Sequence, residues 1–201
     1  SKSYLLRASF LLALFFHPLS LFADAVDYIY ETKPVSSIGD AADDPAIWFN
    51  RADPTKSLIF GTDKRKGIHV YDLYGKELSF SELGATNNID LRVIDKNVHK
   101  VISNRSSGTL GYWIFPKSGL YEYFLENPSD AFSENINHYH LDANMDVYGV
   151  CIGFVNGRLS AALTEEEGPT VQMWDLTIKE VIGTIDVISD EEDAPRTGNE
   201  A

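Results

Sequence analysis

A threefold repeat of strand, polar turn and second strand constrains this chain more than any other feature. The segments SLIFGTDKRKGIHVYDLYGKEL, HKVISNRSSGTLGYWIFPKSGL and RLSAALTEEEGPTVQMWDLTIKEV each join an apolar strand to an aromatic strand through a polar turn with glycine. The second strands are predicted to begin at Ile68, Leu110 and Val171, at intervals of 42 and 61 residues. Propeller blades of four antiparallel strands recur every ~40 to 50 residues, with insertions in loops. The pattern predicts an all-β fold with about three β-propeller blades.

Three blades are too few for a closed propeller. Closure needs roughly four to eight blades, because each sheet buries a face against each neighbour. The third repeat continues into the strand EVIGTIDVIS and the polar segment SDEEDAPRTGNEA. We therefore expect residues 26–201 to represent the truncated N-terminal half of a propeller domain.

The first 25 residues have the pattern of a secretory signal peptide. Lys2 and Arg7 precede the apolar stretch ASFLLALFF. Ala23-Asp24-Ala25 places small residues at the two positions that signal peptidase recognises. The apolar stretch is too short and too interrupted for a membrane span. The mature protein is therefore expected to be secreted, into the periplasm or the medium, with no membrane attachment after cleavage.

Charge and cysteine content narrow the range of ligands. The chain has a formal net charge of −13, so nucleic acid and anionic membrane surfaces are not expected partners. An anionic ligand would need a local basic patch or a bridging cation.

Cys151 is the single cysteine, which excludes an intramolecular disulfide and makes bound calcium a candidate source of stability.

The stretch DAADDPAIW concentrates hard oxygen ligands in a few residues. Asp40, Asp43 and Asp44 are close in sequence, and carboxylates this close repel one another unless a cation lies between them. Calcium takes six to eight oxygen ligands of this kind. The alternative is ordinary turn chemistry, in which aspartate side chains accept hydrogen bonds from nearby backbone amides.

Five motifs in order resemble the β-propeller phytases: DDPAIW, SLIFGTDKRKGIHVYDLYGKEL, NNIDLR, SNRS and VYGVCIGF. The resemblance extends from Gly39 to about Val187. It implies a secreted, six-bladed, calcium-dependent phosphatase that hydrolyses phytate, myo-inositol hexakisphosphate, by attack of water. We expect a monomer that takes phytate or another inositol phosphate, and we expect the fragment alone to be inactive.

The resemblance also implies residue roles. Asp43 would face a catalytic calcium cluster and Asp44 a structural calcium ion, with Asp40 as a further metal ligand. The substrate phosphates would be bound by Lys64, Arg65, Arg105 and Tyr148. The alternatives are that the basic residues are solvated turn charges and that Tyr148 is a core aromatic.

The third repeat departs from the phytase pattern. Where phytases usually carry a phosphate-binding lysine, this chain has TEEEG, Thr164 to Gly168. These glutamates would repel a substrate phosphate, bridge to it through an additional calcium ion, or simply be solvated. A non-catalytic secreted β-propeller that binds ligands through the same turns is therefore the alternative to a phytase.

Two other features are interpreted as packing residues. His138 and His140 could bind a transition metal on a strand, but no third ligand is evident in the sequence. Cys151 lies in the apolar run VYGVCIGF and is predicted to be a buried small hydrophobic residue.

Overall fold

The computed structural model describes residues 27–133 and 135–187, so the predicted signal peptide lies outside the described part. In these ranges, one short α-helix and a 3₁₀ turn at Pro54–Lys56 accompany twelve strands. No helix among the described residues is long and apolar enough to cross a membrane. The elements are β1 (Ala42–Trp48), β2 (Leu58–Asp63), β3 (Gly67–Asp72), β4 (Glu77–Glu82), β5 (Thr86–Ile94), β6 (Asn97–Asn104), β7 (Thr109–Pro116), α1 (Leu120–Glu126), β8 (Asn137–Asp142), β9 (Val147–Val155), β10 (Arg158–Glu165), β11 (Thr170–Asp175) and β12 (Glu180–Asp186).

The strands form three antiparallel four-stranded sheets in chain order. Sheet 1 contains β1 to β4, sheet 2 contains β5 to β8, and sheet 3 contains β9 to β12. The first strands of the sheets lie against one another, with β5 in contact with both β1 and β9. The all-β fold and the three four-stranded sheets predicted from the repeats are therefore confirmed.

Two apolar cores join the sheets. The core between sheets 1 and 2 is aromatic and includes Phe60, Trp113 and Phe115, all at most 2% exposed. The core between sheets 2 and 3 includes Tyr112 and Trp174. Because sheet 2 contributes to both cores, its two faces are both covered, which is the arrangement that stacked sheets require.

The same β-bulge recurs in the first strand of every sheet. In sheet 1 the strand partners change from Ala42 and Asp63 to Pro45 and Gly61, which leaves one extra residue on β1. β5 and β9 show the same irregularity after Thr86 and Val147. The bulges make three residue pairs equivalent: Asp43-Asp44, Asn87-Asn88 and Tyr148-Gly149.

In each bulge, a buried hydroxyl group accepts a hydrogen bond from a backbone N–H. Thr62, Ser103 and Thr164 hold equivalent positions, and their side-chain oxygens accept the N–H groups of Asp44, Asn88 and Gly149 at 2.8, 3.0 and 2.8 Å. A bulge removes a backbone N–H from the ladder, and a buried N–H needs another acceptor. The hydroxyl positions are therefore part of the repeat.

Ser103→Ala is expected to lower the free energy of unfolding by about 1–2 kcal/mol. Ser103 is fully buried, and its hydroxyl also donates to the Tyr148 carbonyl oxygen at 2.5 Å, which ties sheet 2 to sheet 3. Urea denaturation measures the effect. Ser107→Ala, in the exposed turn of the same hairpin, is the matched control. Equal stability of the two variants would contradict the role assigned to the Ser103 hydroxyl.

Two details, helix α1 and Cys151, differ from the sequence interpretation, whereas His138 and His140 agree with it as packing residues. Helix α1 was not expected; tertiary packing stabilises it, because Leu120 and Phe124, one turn apart, are buried in the first core. His138 and His140 lie on strand β8, and both rings pack against Trp113. Cys151 is only partly buried, because alternate residues of β9 face the core and Cys151 lies between two of them.

Candidate functional site

The bulges bring the candidate residues to one end of the three sheets. The turn that follows the second strand of each sheet begins at Lys64, Arg105 or Glu166, which are equivalent positions. The backbone N–H of each donates to the carbonyl oxygen of Ala41, Ala85 or Asp146, at 2.9, 2.8 and 2.8 Å. The same backbone geometry therefore presents two cations and one carboxylate from three adjacent turns. We call this end of the sheets the bulge end.

Lys64 is held between two of the candidate aspartates. Its Nζ lies 2.7 Å from Asp40 Oδ2 and 3.6 Å from Asp43 Oδ1. The hydrogen bond and charge of Lys64 lower the pKa of Asp40, and the charge of Arg65 lowers it further. Asp40 is mostly exposed, so its pair with Lys64 is open to solvent.

Asp44 occupies a less solvated position in the bulge of β1. Its Oδ2 accepts the N–H of Ile89 on β5 at 2.9 Å, which connects sheets 1 and 2. Burial raises the pKa of Asp44, and the charges of Asp43 and Asp90 raise it further, while hydrogen bonds from Ile89 and Asn88 act in the opposite direction. The net effect is that the ionised form of Asp44 is disfavoured, so a nearby cation would stabilise it.

Further oxygen atoms near the bulges are buried without a partner. Asp63 Oδ2 and Asn87 Oδ1 are enclosed and have no hydrogen bond among the described residues. Asn87 holds in β5 the bulge position that Asp43 holds in β1. These oxygen donors are of the type that calcium prefers.

The donor set is nevertheless incomplete for a metal ion. Within residues 27–133 and 135–187, no group of three or more His, Cys, Asp or Glu residues lies close enough to hold one. Asp40, Asp43 and Asp44 therefore do not form such a group together. Calcium needs six to eight oxygens, so carbonyl groups, water, substrate or residues beyond the described ranges would have to complete the shell. The metal-binding roles of these aspartates stay predictions.

Arg105 and Tyr148 lie together where sheets 2 and 3 meet. The guanidinium carbon of Arg105 is 5.8 Å from the centroid of the Tyr148 ring, a cation–π distance. Tyr148 is partly exposed rather than enclosed in the core. The residues predicted to bind phosphate, Lys64, Arg65, Arg105 and Tyr148, are therefore all at the bulge end, and their roles stay predictions.

The carboxylate of Glu166 pairs with Arg105 across 61 positions of sequence. Arg105 Nε donates to Glu166 Oε2 at 3.0 Å, and Nη2 donates to Oε1, so both carboxylate oxygens are engaged. The sequence singled out TEEEG as a departure from the phytase pattern, but it did not indicate this partner. The only available signal was that a glutamate replaces a cation at the equivalent turn position.

A cavity beside the bulge of β1 was also not foreseen. It has a volume of about 210 Å³ and is lined by residues 32–35 together with Asp43, Asp44 and Tyr71. Burial raises the pKa of Tyr71 to about 12. Residues 32–35 show no strand or helix pattern, so no sequence signal placed them against sheet 1.

The sequence comparisons with known proteins agree with the motifs. A sequence model of the Phytase family matches residues 18–138. A 3-phytase from Bacillus subtilis (strain 168) is 49% identical over 83 residues, which cover 39% of this chain and 22% of that relative. The crystal structure of a protein of unknown function from Bacteroides caccae aligns with a TM-score of 0.43 and 7% identity, over 78% of this chain and 50% of the other. The match of the family model to more than half of the residues shows that this chain belongs to the phytase family.

Proposed function

We propose that this chain supplies part of a secreted, calcium-dependent phytase that hydrolyses phytate to lower inositol phosphates and phosphate. The proposal is carried by one observation: Lys64, Arg65 and Arg105 all lie at the bulge end of a phytase-family chain whose net charge is −13. Cationic side chains are what an anionic substrate requires, and because Lys64 and Arg105 are paired with Asp40 and Glu166, bound calcium would have to add positive charge there. The match spans 22% of the Bacillus relative, so the activity of the whole enzyme is itself part of the proposal.

The three sheets are proposed to be three blades of a six-bladed propeller. The contacts of β5 with β1 and β9 support this arrangement, since propeller blades pack successively around an axis through their first strands. Turns at one end of such blades converge on the mouth of the central channel, where ligands bind. The remaining blades would supply the other carboxylates, and residues 26–201 alone are expected to be inactive.

The basic side chains would bind and orient the phosphate groups. Arginine offers a planar fork of N–H donors that fits two phosphate oxygens, and lysine acts as a compact positive charge. The hydroxyl of Tyr148 would donate to a phosphate oxygen beside Arg105. Neutralising charge on the transferring phosphoryl group is the main requirement of ester hydrolysis.

Calcium is proposed as the cofactor, with Asp43 and Asp44 among its ligands and Asp43 as the catalytic carboxylate. The raised pKa of Asp44 supports this, because a desolvated carboxylate beside other acidic groups favours a bound cation. When bound, calcium would supply positive charge to the phosphates and help to ionise a water molecule. Asp40 is proposed as a further ligand, in competition with its hydrogen bond from Lys64.

The Arg105–Glu166 pair favours a second candidate, a secreted propeller that binds ligands without catalysis. The two candidates separate in one experiment: phosphate release from phytate by the full-length protein that contains these residues, with calcium and with a chelator. Calcium-dependent release is expected. Phytate binding without release would instead assign the binding function.

Calcium removal is expected to lower the melting temperature of the full-length protein. Without a counter-ion, Asp43 and Asp44 repel each other, and the stabilisation supplied by ligand binding is lost, about 2.7 kcal/mol at a hundredfold excess over Kd. Differential scanning calorimetry with calcium and with chelator measures it. The variant Asp43→Asn/Asp44→Asn should lose the calcium-dependent increment, whereas a wild-type melting temperature indifferent to chelator would refute the calcium site.

A further inference from the structure

Arg105 already has an anionic partner in this chain. Two N–H groups of its guanidinium, on Nε and Nη2, face the two oxygens of Glu166. This is the same edge and the same two-oxygen geometry with which arginine binds a phosphate. A phosphate and the Glu166 carboxylate therefore cannot occupy that edge of Arg105 at the same time.

The pair is built into the fold. The Glu166 backbone is anchored by its N–H to the Asp146 carbonyl oxygen, and Arg105 is anchored in the equivalent way to Ala85. The side chains are 32% and 27% exposed, for Arg105 and Glu166, so solvent screens their interaction only in part. The guanidinium group also lies over the ring of Tyr148, at the cation–π distance given above.

The neighbouring glutamates do not share this contact. The carboxylate of Glu165 accepts the backbone N–H of Thr170 at 3.2 Å. Glu167 is exposed on a backbone with a φ of 55°, at the tip of the turn. The contact with Arg105 is therefore specific to Glu166 within TEEEG.

We propose that Glu166 competes with substrate phosphate for Arg105. The proposal rests on the phytase function proposed above. Phosphate must displace the Glu166 carboxylate to reach the Nε–Nη2 edge of Arg105, so Glu166 weakens phosphate binding at this position.

Calorimetric titration of the full-length protein with phytate, at fixed calcium, tests the competition. Glu166→Gln keeps the size of the side chain and removes its charge, and we expect it to lower the Kd for phytate about two- to fivefold. Glu167→Gln changes the net charge equally one residue away and should have less than half of that effect. In an Arg105→Ala background, Glu166→Gln should no longer change the Kd.

Each other outcome overturns the proposal in a different way. Equal gains for Glu166→Gln and Glu167→Gln, or a gain that persists without Arg105, would show a general charge effect. Weaker binding by Glu166→Gln that added calcium restores would assign Glu166 to a metal ion. Phytate binding by the wild type with no gain in Glu166→Gln overturns the competition alone, whereas no binding by any variant overturns the phytase function with it.

Discussion

Lys100→Met is expected to raise the free energy of unfolding by about 1–3 kcal/mol near pH 10, the cost of a buried polar group without a partner, and by more at neutral pH, where the unfolded chain protonates the amine. Lys100 lies on β6, is completely buried, and its Nζ has no hydrogen-bond partner among the described residues. Four rings surround the Nζ, at 3.5, 4.2, 4.5 and 5.4 Å from the centroids of Phe60, Phe115, Phe124 and Phe132. Methionine fills a similar volume without a charge to desolvate, so the substitution keeps the packing.

The same residue gives the stability a distinctive pH dependence. Burial lowers the pKa of Lys100 well below its ordinary value of 10.5. Between the folded and unfolded pKa values the unfolded chain binds more protons, so the free energy of unfolding rises with pH, by up to about 1.4 kcal/mol per pH unit. Near pH 10 the trend reverses. Burial raises the pKa of Tyr71 and of Tyr112 to about 12. Above pH 10 these tyrosines therefore lose their protons more readily in the unfolded chain than in the folded protein, and the free energy of unfolding falls.

Chemical denaturation from pH 7 to pH 10 measures this profile. The range lies above the titration of His99, whose pKa is lowered by burial. Lys100→Met should flatten the rise, whereas Lys96→Met, an exposed lysine on the same hairpin, should leave it unchanged. A profile that rises equally in wild type and Lys100→Met would show that the amine is not held neutral by its surroundings.

The repeats could be predicted from sequence because their determinants are local. Alternating apolar residues and a glycine-containing turn specify each hairpin within about twenty residues. The correspondence of the three turns, with TEEEG in the third, followed from the same pattern, and the bulges now make Lys64, Arg105 and Glu166 equivalent residue by residue. Most of the candidate site residues therefore lie in turns that the sequence pattern locates.

The missed features depend on contacts between sheets. In HKVISN, Lys100 follows His99 in a strand that would ordinarily leave a lysine in solvent, but sheets 1 and 3 cover both faces of sheet 2. The Arg105–Glu166 pair joins two turns that lie 61 residues apart in the sequence. Opposite charges at equivalent positions were visible in the sequence, yet only the packing of sheet 2 on sheet 3 brings them within hydrogen-bonding distance.

Arg105→Ala is expected to raise the KM of the full-length enzyme for phytate by about tenfold or more, the loss of a charge-assisted contact of roughly 1.5–3 kcal/mol. In the wild type, part of this contact is offset because phosphate must displace Glu166. The effect should therefore lie near the lower end of that range and should grow in a Glu166→Gln background.

Stability separates this effect from misfolding. The Arg105–Glu166 pair is partly exposed and contributes no more than about 1 kcal/mol, so Arg105→Ala should melt close to the wild-type temperature. Arg92→Ala is the matched control, because Arg92 also forms an ion pair, with Asp90, but lies on β5 away from the turns. A KM for Arg105→Ala equal to that of Arg92→Ala would return Arg105 to the class of solvated turn residues, and the phosphate-binding surface would then be confined to Lys64 and Arg65 on sheet 1.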